Sequence, residues 1–178
     1  MFARTARLTL RPGWPEDAQA LVDAIAHESV CTMLARAPWP YTLADAEAFL
    51  ALPRDHRSPR LMILAHEGAD TRLIGAIGLT QDDSGHEFGY WLTPAAWGRG
   101  YATEAGRAVL DMARHALGLR HLHAGHYHDN PGSGRVLRKL GFRESGTEMR
   151  PCLARGGDVP GLRYALDLSP AQAMPLAA

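Results

Sequence analysis

The sequence predicts a single-domain α+β fold, a mixed and mostly antiparallel central sheet flanked by helices. Three observations point there. Short apolar runs follow one another across residues 60–92 with only turn residues between them, which makes a meander. Amphipathic helical stretches stand on both sides of that meander. The chain has 178 residues, the size of one domain, and needs no disulfide or metal staple to bury a core.

Arg7-Leu8-Thr9-Leu10-Arg11 alternates polar and apolar side chains and stops at Pro12, as a half-buried first strand does. Residues 16–26 (EDAQALVDAIA) carry apolar positions at helical spacing, and Pro15 suits a first helical turn. Pro38-Trp39-Pro40-Tyr41 is a rigid loop. Thr42 is then an N-cap with Asp45 three positions on, and this second helix ends by Leu52 because Pro53 follows. Residues 60–66 and 72–79 are strands joined by a turn at 67–70, and a second turn at 82–85 leads to a strand over 87–92. Residues 102–117 form a long helix ended by Gly118. A strand over 121–127, a helix over 131–140 ended by Gly141, and a strand opening at 142–147 come next. A last strand over 163–168 closes the sheet. The expected domain is 1–168, with a low-complexity, frayed tail over 169–178.

Hydrophobic residues at 46% and charged residues at 21% are ordinary globular usage, which argues against disorder. Lys+Arg and Asp+Glu stand at 19 each, so the net charge is 0 and nothing supplies the positive field of a nonspecific nucleic-acid binder. Cys31 and Cys152 make no disulfide framework and no Cys-x-x-Cys spacing. The N-terminus has no apolar signal core, and no apolar run approaches the roughly 18 residues that span a bilayer. A cytoplasmic setting is the default.

The chemistry concentrates where the 87–92 strand runs through Trp97-Gly98-Arg99-Gly100-Tyr101-Ala102-Thr103 into the long helix. Such a junction offers free backbone N–H groups at the positive end of a helix dipole, a site for phosphate. Gly98, Gly100 and Ala102 remove bulk, and Arg99 adds a cation. A bare Gly-x-Gly serves a tight turn equally well. It is neither a dinucleotide fingerprint, for the third glycine is absent, nor a P-loop, for no Gly-Lys-Ser/Thr follows. A second cluster, Asp129-Asn130-Pro131-Gly132-Ser133, puts an Asn and a Ser at another helix start, where capping is the plain reading.

Together these segments resemble the GNAT superfamily of acyl-CoA-dependent N-acetyltransferases, with the nearer likeness to its ribosomal-protein-alanine N-acetyltransferase branch. The resemblance runs in order through Thr5 to Pro12, Pro38 to Tyr41 with Asp45 to Leu50, Glu87 to Leu92, Trp97 to Ala105 and Asn130 to Phe142. It implies acetyl-CoA as co-substrate, with the pyrophosphate wrapped by main-chain amides of Trp97 to Thr103. It implies that the 87–92 and 121–127 strands splay apart at their ends. The pantetheine arm would lie in that gap against Tyr90, Trp91 and Leu92, with Asn130 and Ser133 facing its sulfur. Trp97 stands where many members have Gln or Arg. Leu137 stands where many have a tyrosine that protonates the thiolate, which leaves Ser133, or a water, as general acid.

An amine acceptor is mostly protonated at neutral pH, with pKa about 7.7–8.0 for an α-amine and about 10.4 for lysine. Glu87, on the strand beside the implied cleft, is the candidate base, directly or through water, and is otherwise a salt-bridge partner; His86 and Asp129 are reserves. A strand amide near Tyr90 to Leu92 would hold the oxyanion. Neither cysteine lies in the matched motifs, so direct transfer in a ternary complex is expected. A non-catalytic acyl-CoA-binding module is the alternative. His121 and His123 share one strand face while His126 and His128 share the other, so exposed strand histidines rather than a metal site are expected. Segment 146–161 resembles the variable loop that walls the acceptor pocket together with 30–41. The acceptor, a protein N-terminus or a small-molecule amine, is not legible, and a homodimer is compatible with the resemblance.

Overall fold

The structure, a computed structural model, describes residues 1–68 and 70–169. One eight-stranded sheet organises it. The strands are β1 (Ala3–Arg4), β2 (Leu8–Arg11), β3 (Arg60–Glu67), β4 (Asp70–Asp82), β5 (Gly85–Leu92), β6 (His121–Tyr127), β7 (Arg143–Cys152) and β8 (Gly157–Asp167). The helices are α1 (Ala18–Ile25), α2 (Glu28–Cys31), α3 (Leu43–Ala51), α4 (Tyr101–His115) and α5 (Pro131–Lys139). The spatial order is β1-β2-β3-β4-β5-β6-β8-β7, antiparallel throughout except for the parallel pair β5 and β6. A parallel neighbour needs a long crossover, and α4 supplies it.

Helices cover both faces, so the central strands are apolar on both sides. Leu61, Ile63, Phe88 and Tyr164 face α4 and α5, where they meet Val109, Ala113 and Leu137. Met62 and Ala76 face the other way, onto Leu21, Ile25 and Ala46 of α1 and α3. The cap of α3 is the reciprocal one the sequence suggests: Asp45 N–H donates to Thr42 Oγ1 at 3.3 Å, and Thr42 N–H donates to Asp45 Oδ2 at 2.8 Å.

Three expectations are corrected. The last strand in sequence does not close the sheet; β8 lies between β6 and β7, and β7 is the edge. Segment 146–161 is no loop, because β7 and β8 pair from Arg143↔Ala165 to Cys152↔Gly157 and leave only a short turn at Leu153–Arg155. Strand β1 and helix α2, too short to show a period, were not expected. The tail beyond Ser169 lies outside the described residues.

The N-terminal strands are tied to the start of α4 by Glu104. Its Oε1 accepts from Thr5 Oγ1 at 2.6 Å and from Arg7 N–H at 3.0 Å, and its Oε2 accepts from Arg7 Nε at 2.7 Å. Burial pushes the Glu104 carboxyl up, but the Thr5 hydroxyl and the Arg7 donors outweigh it and hold the group below its ordinary value. A carboxyl lowered by folding stabilises above its unfolded value and loses that contribution as pH falls through its folded value. Glu104→Gln therefore lowers stability by about 1 kcal/mol at pH 7. In urea titrations the gap from the parent closes below about pH 4. An equal midpoint for both proteins at pH 7 removes the clamp.

Candidate active site

The parallel strands β5 and β6 are paired at only one position, Glu87↔His123, and part beyond it. A cavity of about 720 Å³ opens in the gap. It runs from the start of α4 (Gly98, Gly100, Ala102, Thr103), past Tyr90, Trp91 and Leu92, to Glu87, Asn130, Ser133 and Arg150. The two strands and the two helix starts separated in sequence thus come together around one space.

The entrance is shaped by backbone. Gly98 and Gly100 adopt φ of 72° and 81°, a left-handed conformation that side chains disfavour, and Gly100 caps α4. The first amides of α4 have no intrahelical acceptors and stand at the positive end of its dipole. Trp97 anchors this loop, its Nε1 donating to Leu92 O at 2.8 Å. Arg99 departs from expectation: it does not line the cavity, and its guanidinium pairs with Glu67 at 2.5 Å. The physical reason is a carboxylate already at hand on β3. Tyr101 is buried, its hydroxyl donating to Glu67 at 3.1 Å and its ring covered by the Arg7 and Arg99 guanidinium groups. Arg7 Nη1 also donates to the Arg99 carbonyl at 3.1 Å, fixing the loop from outside.

Deeper in the gap, Asn130 Oδ1 accepts from Ser133 N–H at 3.2 Å, so Asn130 is indeed a helix cap. The Tyr90 hydroxyl donates to Ser133 Oγ at 3.1 Å. Burial pushes the Tyr90 phenol up to about 12, although the Ser133 hydrogen bond acts the other way, so it stays protonated at neutral pH. The Ser133 hydroxyl, with one acceptor lone pair filled, can direct its own proton into the cavity. Leu137 is fully buried beneath and donates nothing.

Glu87 faces the opposite side of the sheet. Its Oε1 accepts from Arg150 Nη2, and Arg150 Nη1 donates to Glu148 Oε1. Of the reserves, Asp129 is paired with Arg155 at 2.7 Å, and His86 has a buried Nε2 with no partner among the described residues. The end of the cavity beside Glu87 and Arg150 is walled by α2 and the residues after it, Met33, Leu34 and Ala35. The β7–β8 hairpin tip grips that wall: Leu153 N–H donates to Ala35 O at 3.0 Å, and Arg155 Nε to Thr32 O at 2.7 Å.

The strand histidines are less exposed than expected. His126 is buried, its Nδ1 2.7 Å from Tyr127 O and its Nε2 3.3 Å from the Tyr164 hydroxyl, because α5 covers that face. His123 lies 3.2 Å from Asp82. Among the described residues no group of three or more His, Cys, Asp or Glu is placed to hold a metal ion. Sequence reasoning named Tyr90 beside the implied arm and Arg150 within segment 146–161, but not the contact of the Tyr90 phenol with Ser133 or of Arg150 with Glu87. Strand alternation puts Tyr90 on the face of α5, which is a usable signal; Arg150 left none.

The profile of the Acetyltransferase (GNAT) domain matches residues 7–143. The uncharacterized N-acetyltransferase YoaA of Bacillus subtilis is 32% identical over 149 residues, covering 80% of this chain and 82% of that protein. Among solved structures, a GNAT-family acetyltransferase from Bacillus anthracis superposes with a TM-score of 0.81 at 21% identity, over 94% of this chain and 99% of that one. RimL, described as a ribosomal L7/L12 alpha-N-protein acetyltransferase in complex with coenzyme A, superposes with a TM-score of 0.77 at 16% identity, over 94% and 98%. The profile match and the identity to YoaA carry the assignment that the cleft between β5 and β6 anticipates: the chain belongs to the GNAT family and is an acyl-CoA-dependent N-acetyltransferase.

Proposed function

We propose that the chain transfers the acetyl group of acetyl-CoA to a primary amine by direct attack in a ternary complex. The observation that carries this reading is the single-pair contact of β5 and β6, which leaves one cavity reaching from the amides of α4 to Ser133 and Glu87. The main chain of Gly98 to Thr103 takes the pyrophosphate, and the unpaired edges of β5 and β6 take the amides of the pantetheine arm. Glu87 accepts the ammonium proton, directly or through water, and frees the nitrogen lone pair. As the N–C bond forms, a strand amide near Tyr90 to Leu92 holds the oxyanion. As the C–S bond breaks, Ser133 gives its proton to the thiolate and recovers one from Tyr90; the amide nitrogen gives up its second proton to water, and water restores the Tyr90 phenol. Much of the acceleration comes from holding amine and thioester together.

The acceptor end supports an amine on a short neutral or apolar stem over a polycation. Val30, Met33, Leu34 and Ala35 line it, and its acidic groups are engaged by Arg150 and Arg155. A peptide N-terminus fits this, and RimL, of the same fold, carries the name of an alpha-N-protein acetyltransferase.

With acetyl-CoA and a panel of alanine- or serine-initiated peptides, small amines and a polyamine, thiol release and mass spectrometry find acetylated peptide ahead of acetylated polyamine. Coenzyme binding without transfer to any amine sinks the catalytic reading. Ser133→Ala and Glu87→Gln each lower kcat by about 10- to 1,000-fold with coenzyme A affinity little changed. Full turnover in both removes these roles. Gly100→Val forces a branched side chain into a left-handed site beside the amides, and calorimetry finds coenzyme A binding at least about tenfold weaker; binding equal to the parent moves the pyrophosphate elsewhere.

A further inference from the structure

Arg150 lies in the same cavity and has no part in the scheme above. It starts on β7, the edge strand, and its guanidinium crosses β8 and β6 to reach Glu87 on β5. Two glycines clear the path. A Cβ on Gly125 of β6 would overlap the guanidinium, and its three nearest atoms all belong to Arg150. A Cβ on Gly161 of β8 would stand 2.8 Å from Arg150 Cδ and equally close to the His126 carbonyl oxygen, so this glycine serves the strand backbone as well as the arginine. The side chains of Arg150, Glu87 and Glu148 are 17%, 25% and 29% exposed, so the trio is largely withdrawn from water. Burial alone would lower the guanidinium, but Glu87 and Glu148 outweigh it and raise it further.

A half-buried ion pair is a poor stabiliser, since desolvation offsets most of the attraction. A slot cut through two strands for one guanidinium calls for another explanation. We infer that Arg150 is a positioning residue, seated by Gly125 and Gly161, which holds Glu87 by Oε1 and leaves Oε2 as the oxygen that meets the acceptor amine. The inference rests on Glu87 being the base. Removing the guanidinium leaves Glu87 and Glu148 without the cation they share, and like charges held near one another favour protonating one of them.

The other charged groups around Glu87 do not replace it. On β6 its register partner His123 is paired with Asp82 of β4, and Thr80, its neighbour on β4, is uncharged. His86 precedes it on β5. Arg163 of β8 lies beside His121 and His123 in a separate cavity, and Arg155 is engaged by Asp129.

The test compares kcat against pH for the parent, Arg150→Met, Arg150→Lys, Arg150→Ala, Gly125→Ala and Gly125→Ala/Arg150→Ala, with saturating acetyl-CoA and an alanine-initiated peptide. The amine's own titration is common to all and cancels. Arg150→Met lowers kcat at pH 7 by about 10- to 100-fold and moves the acid limb up by about one pH unit or more, with KM for acetyl-CoA held within about threefold. Arg150→Lys restores part of both. Gly125→Ala mimics the loss, yet adds little once Arg150 is alanine, because the three atoms nearest the new methyl all belong to the lost guanidinium. An unmoved acid limb in Arg150→Met, or a full further loss on adding Gly125→Ala to Arg150→Ala, overturns the inference. Full turnover in Glu87→Gln, or no peptide turnover by the parent, instead overturns the reading beneath it.

Discussion

Two neighbouring parallel strands that touch at one register position and then diverge impose the condition on which the site depends. Backbone N–H and C=O groups demand partners, and a sheet ordinarily supplies them along its whole length. Between β5 and β6 that supply stops after Glu87↔His123. The groups beyond it are left for water or for an extended ligand with amides of its own, which is the role proposed for pantetheine. The crossover through α4 makes the pair parallel, and it also brings a helix N-terminus to the open end of the same gap. Strand divergence and the proposed phosphate site are therefore two consequences of one connection.

The side chains around the entrance are committed to architecture, which leaves the main chain free for binding. Glu104 joins Thr5 and Arg7 to the first turn of α4, Arg7 holds the Arg99 carbonyl, and Arg99 itself turns to Glu67. The tyrosine between the two guanidinium groups is buried and hydrogen-bonded. A loop whose amides must stay at fixed positions gains more from such outside ties than from a flexible cation inside the cleft. The arginine between the two glycines of that loop is one of those ties, held to Glu67 on β3.

Local chemistry was legible in the sequence, and long-range pairing was not. The strand His121–Tyr127, the Thr42 and Asn130 caps and the helix after Gly100 follow from alternation, capping residues and glycine, all of which act within a few residues. The order β6-β8-β7 depends on which strand reaches a partner across the fold, and no local pattern encodes it. For the same reason a segment with Arg150, Pro151, Gly156 and Gly157 read as a loop, although its pairing with β8 makes it a strand. Glu87 lines the cavity, but its ion pair with Arg150 spans 63 positions in sequence and two intervening strands in space. His126 carries a residue type expected outside, and only the arrival of α5 and Tyr164 buries it.

The arrangement of acid and base follows from strand alternation. Glu87 and Tyr90 are three residues apart on β5 and so project to opposite faces of the sheet. Tyr90 meets Ser133 on the side of α5, while Glu87 meets Arg150 on the side of the β7–β8 hairpin and α2. In a closed sheet these groups would be separated by the backbone and unable to serve one reaction. Both nevertheless line the one cavity that opens where β5 and β6 part. In the reaction proposed above, a thioester lying there would present its sulfur to the Ser133 side and its carbonyl carbon to the Glu87 side, so proton removal from nitrogen and proton delivery to sulfur would proceed from opposite directions. In that scheme the divergence of two strands supplies both the room for the arm and the line along which the acyl group is exchanged.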